Sequence, residues 1–120
     1  MPSAKVFFGA AAEYYRRLIG GDVEPIKDTK AVGTTPSVLV AADPERVQLT
    51  IVNLSSNSIY IMPNDAPTTS SGIFLSANGG SVSMNVHEDG TLPAQEWRAV
   101  ATAANSSVQI IGLRRFNQEA

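Results

Sequence analysis

The sequence predicts a mainly β protein, an antiparallel β-sandwich or small jelly-roll-like barrel of about seven strands, with an N-terminal helix and an extended arm. Three observations predict it. Apolar and polar residues alternate with a period of two from Ser37 onward. Turn-forming residues interrupt that alternation at short intervals. A helical spacing of apolar residues is confined to the segment before Gly20-Gly21.

The helix is expected over Ala4–Ile19. Ser3 is a suitable N-cap and Gly20-Gly21 a suitable stop. Val6, Phe7, Ala10, Ala11, Tyr14 and Leu18 recur at spacings of three and four, and Phe8, Ala12, Tyr15 and Ile19 widen the apolar arc. Such a helix needs cover on most sides. Residues 20–37 show no period and contain Gly20-Gly21, Pro25, Gly33 and Pro36, so they read as an arm or linker. An apolar helix on an arm suits docking onto another subunit. Phe7, Phe8, Tyr14, Tyr15, Arg16, Arg17, Leu18 and Ile19 are the candidate partner-binding residues.

The expected strands follow in order. Val38-Leu39-Val40 starts the first. Val47, Leu49 and Ile51 point one way and Gln48, Thr50 and Val52 the other. Ile59 and Ile61 oppose Tyr60 and Met62. Ile73-Phe74-Leu75 is a short apolar run. Val82, Met84 and Val86 alternate with serines and Asn85, and Trp97, Ala99 and Ala101 with Arg98, Val100 and Thr102. Val108, Ile110 and Leu113 close the series, with Gly112 marking a bulge or a close approach. Asp43-Pro44, Asn53 to Asn57, Pro63-Asn64-Asp65, Asn78-Gly79-Gly80, Asp89-Gly90 and Asn105-Ser106-Ser107 supply the turns. The reading divides the chain into a helix and arm (1–36), a sandwich (37–115) able to fold by itself, and a short tail (116–120).

Composition narrows the chemistry. The 120 residues make one ordinary domain, and nine Lys plus Arg against eleven Asp plus Glu leave a net charge of −2. No basic excess points to nucleic acid. Glu13, Arg16 and Arg17 interrupt the most apolar stretch well short of the ~20 residues a membrane span needs. Val6–Ala12 is short for a signal peptide, and only Lys5 precedes it, so export is not expected. With no cysteine, disulfides and thiolate chemistry are excluded.

His87 is the single histidine, in "NVHEDG". On a strand, His87 and Glu88 diverge, and no second histidine stands one helical turn away, so a polar strand end is expected there. Neither a Gly-x-Ser-x-Gly elbow nor a phosphate-cradling glycine loop occurs. Trp97, Tyr60 and Phe74 are candidate sugar-stacking rings, but the phase of Trp97 over Ala99 and Ala101 places it in the core. No cofactor, metal site or catalytic residue is expected, and the protein reads as a non-enzyme.

The segments "DPERVQLTIVNLSSNSIYIMPNDAPTTSSGIFLSANGGSVSM" and "EWRAVATAANSSVQIIGLRR" resemble small structural proteins of tailed-bacteriophage virions. The resemblance rests on a strand opened by Arg46 and ended by Asn53, then Ile59-Tyr60-Ile61. Gly72 in a Ser/Thr-rich loop, Gly79-Gly80-Ser81 and Trp97 to Ala101 complete it. It does not reach residues 1–36. It implies a non-enzymatic capsid decoration or cement protein that clamps neighbouring capsid subunits, located in the virion and assembled in the host cytoplasm. Its implied partners are the major capsid protein or other virion subunits, and it implies a homo-oligomer. A head–tail connector, a tail component, or a receptor- or glycan-binding virion module are the alternatives.

Overall fold

The computed structural model describes residues 20–116, together with Ala10, Glu13 and Arg17. Eight strands follow in order. They are β1 (Asp22–Val32), β2 (Ser37–Val40), β3 (Arg46–Asn53), β4 (Ile59–Pro63), β5 (Ile73–Leu75), β6 (Ser81–Asn85), β7 (Trp97–Ala101) and β8 (Ser106–Phe116). A short helix, Val86–Asp89, and a 3-10 turn, Leu92–Ala94, connect β6 to β7. The strands form two four-stranded sheets, ordered β1-β8-β3-β6 and β2-β7-β4-β5. Every paired neighbour is antiparallel. Two four-stranded sheets connected in this order make an eight-strand jelly roll.

The segment 20–36, expected as an unpaired arm, instead supplies a strand. β1 pairs with β8 over eleven residues, from Asp22↔Phe116 to Val32↔Ser106. The sequence hid it for a physical reason. β1 is an edge strand, exposed over most of its length, so nothing imposes a period of two. Its Pro25, Lys27, Asp28 and Lys30 are the residue types that keep an edge from recruiting further strands. Only its last residue, Val32, enters the core. Ala10, Glu13 and Arg17 are helical, in keeping with the expected helix. The other residues of that helix and residues 117–120 of the expected tail lie outside the described residues.

The seven other strands fall where the sequence placed them, except that Val86 and His87, expected at a strand end, belong to the short helix that Asn85 caps. In β3, Leu49 and Ile51 are fully buried while Gln48, Thr50 and Val52 are not. Trp97 is 1 % exposed, with Ala99 and Ala101 beyond it on the same inner face. Its Nε1 donates to Leu92 O at 2.9 Å, so the ring is a core residue with its polar atom satisfied. β3 slips register against β8 between Arg46 and Gln48. Gly112 faces Leu49 just beyond this irregularity, where a Cβ would collide with the Gln48 backbone oxygen. The expected close approach is therefore real, and only glycine fits it.

Two buried polar side chains close the two ends of the sandwich, and both belong to β3. Asn53 is 0 % exposed. Its Nδ2 donates to Asn57 O at 2.7 Å, Leu75 O at 3.0 Å and Ser76 O at 3.1 Å. Its Oδ1 accepts from Ser55 N at 2.9 Å and Ser55 Oγ at 2.7 Å. Its backbone N donates to Gly80 O, and its backbone O accepts from Gly79 N, both at 2.8 Å. One side chain thus ties the β3–β4 loop, the end of β5 and the turn before β6. At the other end Arg46 is 5 % exposed. Its Nε donates to Pro93 O at 2.6 Å, and its Nη2 donates to Ala41 O at 3.0 Å and Gln95 O at 2.8 Å. It joins the β2–β3 loop to the β6–β7 connection.

Two outcomes follow from these contacts. Asn53→Ala takes the amide donor from the Asn57, Leu75 and Ser76 carbonyls and the acceptor from Ser55, with Leu75 O buried, and should cost about 2–3 kcal/mol. Urea unfolding measures it, with Thr50→Ala on the outer face as the control expected near zero. A chain beginning at Ser37 lacks β1 and bares the long edge of β8. It should melt roughly 10 °C or more below one beginning at Gly20; equal melting temperatures would show β1 to be dispensable.

Candidate functional site

Of the residues expected to bind a partner, Phe7, Phe8, Tyr14, Tyr15, Arg16, Leu18 and Ile19 lie outside the described residues. Arg17 is exposed and pairs with Glu13, one helical turn before it, at 3.3 Å. His87 is exposed on the short helix Val86–Asp89. The neighbouring polar groups serve that helix: Asn85 Oδ1 accepts from Glu88 N at 2.9 Å, and Asp89 Oδ2 accepts from Asn85 N at 3.0 Å. Among the described residues no group of three or more His, Cys, Asp or Glu side chains could hold a metal ion. No helix among them is long and apolar enough to cross a membrane. Asn53-Leu54-Ser55 has the Asn-x-Ser form of a glycosylation acceptor, but Asn53 is consumed by its buried hydrogen bonds.

The Arg46 end of the sandwich gathers most of the charge. Arg114 grips Asp43 with two donors, Nε to Oδ2 at 3.0 Å and Nη2 to Oδ1 at 3.3 Å. Glu45 N donates to the same Oδ1 at 3.0 Å. Arg114 also lies 3.7 Å from Glu24, and Arg115 pairs with Glu45 at 2.7 Å. The hydrogen bond from Arg114 holds the Asp43 carboxyl below its usual range, with the Glu45 amide helping and burial opposing. The same bond raises Arg114. Burial lowers Arg46, against the pull of Asp43. A shallow groove of about 340 Å³ lies beside this cluster, between β1 and the β2–β3 segment. Its charges are engaged: Lys30 with Asp28 at 3.4 Å, Asp43 with Arg114, and Arg46 with backbone carbonyls. This end is a fastening that holds β1, β3 and β8 to the loops.

The outer face of the second sheet has a different character. Register places two rows across it. Val38 on β2 faces Arg98 on β7, which faces Met62 on β4. In the next row Val100 faces Tyr60, which faces Phe74 on β5. The inward neighbours Ile59, Ile61, Leu75, Ala99 and Ala101 fill the core, so these rows lie on the other side of the sheet, where Val100 is itself buried at 4 % exposure. Phe74 is 54 % exposed and Val38 47 %. The Tyr60 and Phe74 rings lie 5.4 Å apart with planes inclined at 53°. Arg98 Nε meets Glu96 Oε1 at 3.1 Å on the same face. The outer face of the first sheet is more polar, with Thr50 bonding Ser83 at 2.9 Å and Thr29 donating to Gln109 Oε1 at 3.2 Å, although Ile111 beside Thr50 is 46 % exposed.

Sequence reasoning identified Tyr60 and Met62 as opposite to the core residues. It missed the face as a surface because Phe74 sits in the run Ile73-Phe74-Leu75, where alternation cannot be seen. The stacking candidates separate accordingly: Trp97 is buried, and Tyr60 and Phe74 lie together on the outer face.

No protein-family model and no curated protein sequence matches the chain. Among solved structures, a Bacillus endospore appendage protein, described as one of a novel family of disulfide-linked pili, is 14 % identical. The match covers 80 % of this chain and 88 % of that one, with a TM-score of 0.47. The dTDP-4-dehydrorhamnose 3,5-epimerase of Bacillus anthracis is 13 % identical, over 90 % of this chain and 62 % of the enzyme, with a TM-score of 0.43. The epimerase of Elizabethkingia anophelis is 14 % identical, over 90 % of this chain and 60 % of the enzyme, with a TM-score of 0.41.

The charged end yields a pH prediction. The folded Asp43 pKa lies below the unfolded value of about 3.9. Its contribution to stability is therefore present above that value and is lost as pH falls through the folded pKa. Asp43→Asn should lower stability at neutral pH and flatten the acid limb of the stability profile below about pH 4. Denaturant unfolding across pH checks it, and an unchanged acid limb would show that the Arg114 pair does not govern it.

Proposed function

We propose that this chain is a non-enzymatic structural protein of a virion, of the capsid decoration or cement kind, which clamps neighbouring capsid subunits. The observation that carries the reading is the apolar outer face of the second sheet. Exposed apolar groups that adjoin one another on a flat sheet mark a contact surface. Phe74 adjoins Tyr60, Met62 follows Tyr60 on the same side of β4, and Val38 stands at the far edge beyond Arg98.

The residues behind the resemblance support the reading in a particular way, because each has work in the frame. Arg46 and Asn53 are the buried fasteners. Gly72 has φ 105°, and a Cβ there would meet Ile61 O at 2.7 Å. Gly79 and Gly80 shape the turn that Asn53 holds, and Trp97 fills the core. A frame fastened at both ends with Phe74 exposed on one side is what a clamp needs.

A second reading has an observation of its own. The exposed Tyr60–Phe74 pair would suit a glycan or receptor contact, as in a receptor-binding virion module. Its rings are inclined to each other rather than forming one plane, which favours a protein surface with several small depressions over a flat sugar ring.

The test is copy number on purified particles. The protein should sediment with intact virions at a fixed stoichiometry. Phe74→Asp should weaken attachment roughly tenfold or more, since a large apolar side chain is worth about 1.5–3 kcal/mol when buried. Its absence from particles would overturn the proposal. Full attachment by Phe74→Asp would exclude the face, and particle-independent binding to oligosaccharides would favour the second reading.

A further inference from the structure

We propose that Asn78 is a deamidation site, held shut in the folded protein by the Asn53 cluster and released only when that end of the sandwich opens. The co-reactant is water.

The sequence supplies the reacting pair. Asn78-Gly79 is the one Asn-Gly step in the chain. Asparagine is thermolabile because the backbone nitrogen of the next residue can attack its side-chain carbonyl carbon. Base removes the Gly79 amide proton, and the nitrogen bonds to Asn78 Cγ. The Cγ–Nδ2 bond breaks, and the departing nitrogen takes up a proton and leaves as ammonia. Water then opens the resulting succinimide ring at either carbonyl, giving aspartate or isoaspartate. Nothing is oxidised or reduced. A following glycine favours the attack, since no Cβ crowds the nitrogen. Asn64 and Asn105 share the left-handed backbone of Asn78, at φ 58° and 63° against 61°, but Asp65 and Ser106 follow them.

The structure shows an accessible turn with a locked nucleophile. Asn78 and Gly79 are exposed, and a Cβ built on Gly79 meets nothing within 4 Å. Water and base therefore reach the turn, and its protection comes from the backbone. Gly79 N donates to Asn53 O at 2.8 Å, so the proton that must leave is held by an acceptor. Asn78 N donates to Ser55 O at 2.8 Å and Gly80 N to Ser76 O at 3.0 Å, which fixes the residues on either side. Closing the ring turns the Gly79 nitrogen onto the Asn78 side chain and breaks its bond to Asn53 O. Asn53 governs the other two acceptors as well: its Oδ1 accepts from Ser55, and its Nδ2 donates to Ser76 O. The nucleophile is freed when this cluster lets go.

The product latches the opening. Isoaspartate carries the chain through its side-chain carbonyl and lengthens the backbone by one carbon. The three short bonds of the turn cannot all re-form around it. Asn78 thus keeps a permanent record of how often this end of the sandwich has opened.

The experiment incubates the full chain at mildly alkaline pH, folded in buffer and unfolded in urea. Peptide mapping by mass spectrometry follows conversion at each asparagine, and hydrogen exchange at the Gly79 amide is measured in parallel. In urea Asn78 should convert fastest of all the asparagines. In the folded chain it should convert at least roughly a hundredfold more slowly, by the factor that protects the Gly79 amide from exchange. Asn53→Ala should speed both processes by one common factor, at least roughly tenfold. Wild type in urea below the unfolding midpoint gives the same comparison without a substitution, so a variant that fails to fold does not decide the matter: both rates should climb together. Asn78→Gly keeps a residue suited to the left-handed turn, has no amide to lose, and should show no conversion there. Folded protein that converts at Asn78 as fast as the unfolded chain overturns the proposal. So does another asparagine that outpaces Asn78 in urea, or Gly79 exchange that accelerates while conversion at Asn78 does not.

Discussion

Both ends of the sandwich depend on one strand. β3 opens with a buried guanidinium and closes with a buried amide, and between them Leu49 and Ile51 fill the core. A buried polar group is costly unless its hydrogen bonds are made. Arg46 and Asn53 meet that demand almost entirely with backbone carbonyls from other connections. The loops must therefore sit where these side chains need them. No buried side-chain polar atom among the described residues lacks a partner. Register, loop position and sheet spacing are fixed together, because moving any one of them strands a buried group.

This explains what could be read from the sequence and what could not. The strands other than β1 were legible because one face of each packs on the core, and burial of alternate residues writes a period of two. β1 was not, because an edge strand exposed on both faces feels no such constraint. Asn53 was legible only as a turn residue. Its side chain does cap a turn through Ser55 N, but its larger role needs Leu75 and Ser76, which the chain brings in from more than twenty residues away. Arg46 carries no local mark of burial, since arginine is rarely buried and its acceptors come from three separate connecting positions. Gly112 was legible because glycine in a strand has few other uses.

The candidate surface was half legible for a related reason. Period two assigned Tyr60 and Met62 to the side away from the core, but it could not say that Phe74 would stand beside them. Phe74 is the residue that turns two outward side chains into a patch, and its apolar neighbours Ile73 and Leu75 conceal its direction. The contrast between the two outer faces is a property of pairing. Serines and threonines meet across β3 and β6, whereas aromatic and aliphatic groups meet across β4, β5 and β7. The second sheet's outer face is thus the more aromatic of the two, with Tyr60 beside Phe74, and this carries the functional reading.

The central claim is that Arg46 and Asn53 make the ends of the sandwich as rigid as its middle. Native-state hydrogen exchange tests it most directly. The amides of Ser55, Asn78, Gly79 and Gly80 donate within the Asn53 cluster, and that of Asp43 donates to Ala94 beside Arg46. They should exchange as slowly as those of Leu49 and Ile51, opening only with global unfolding. Turn amides that exchange orders of magnitude faster than the β3 core would show that the loops open independently, and would contradict the account.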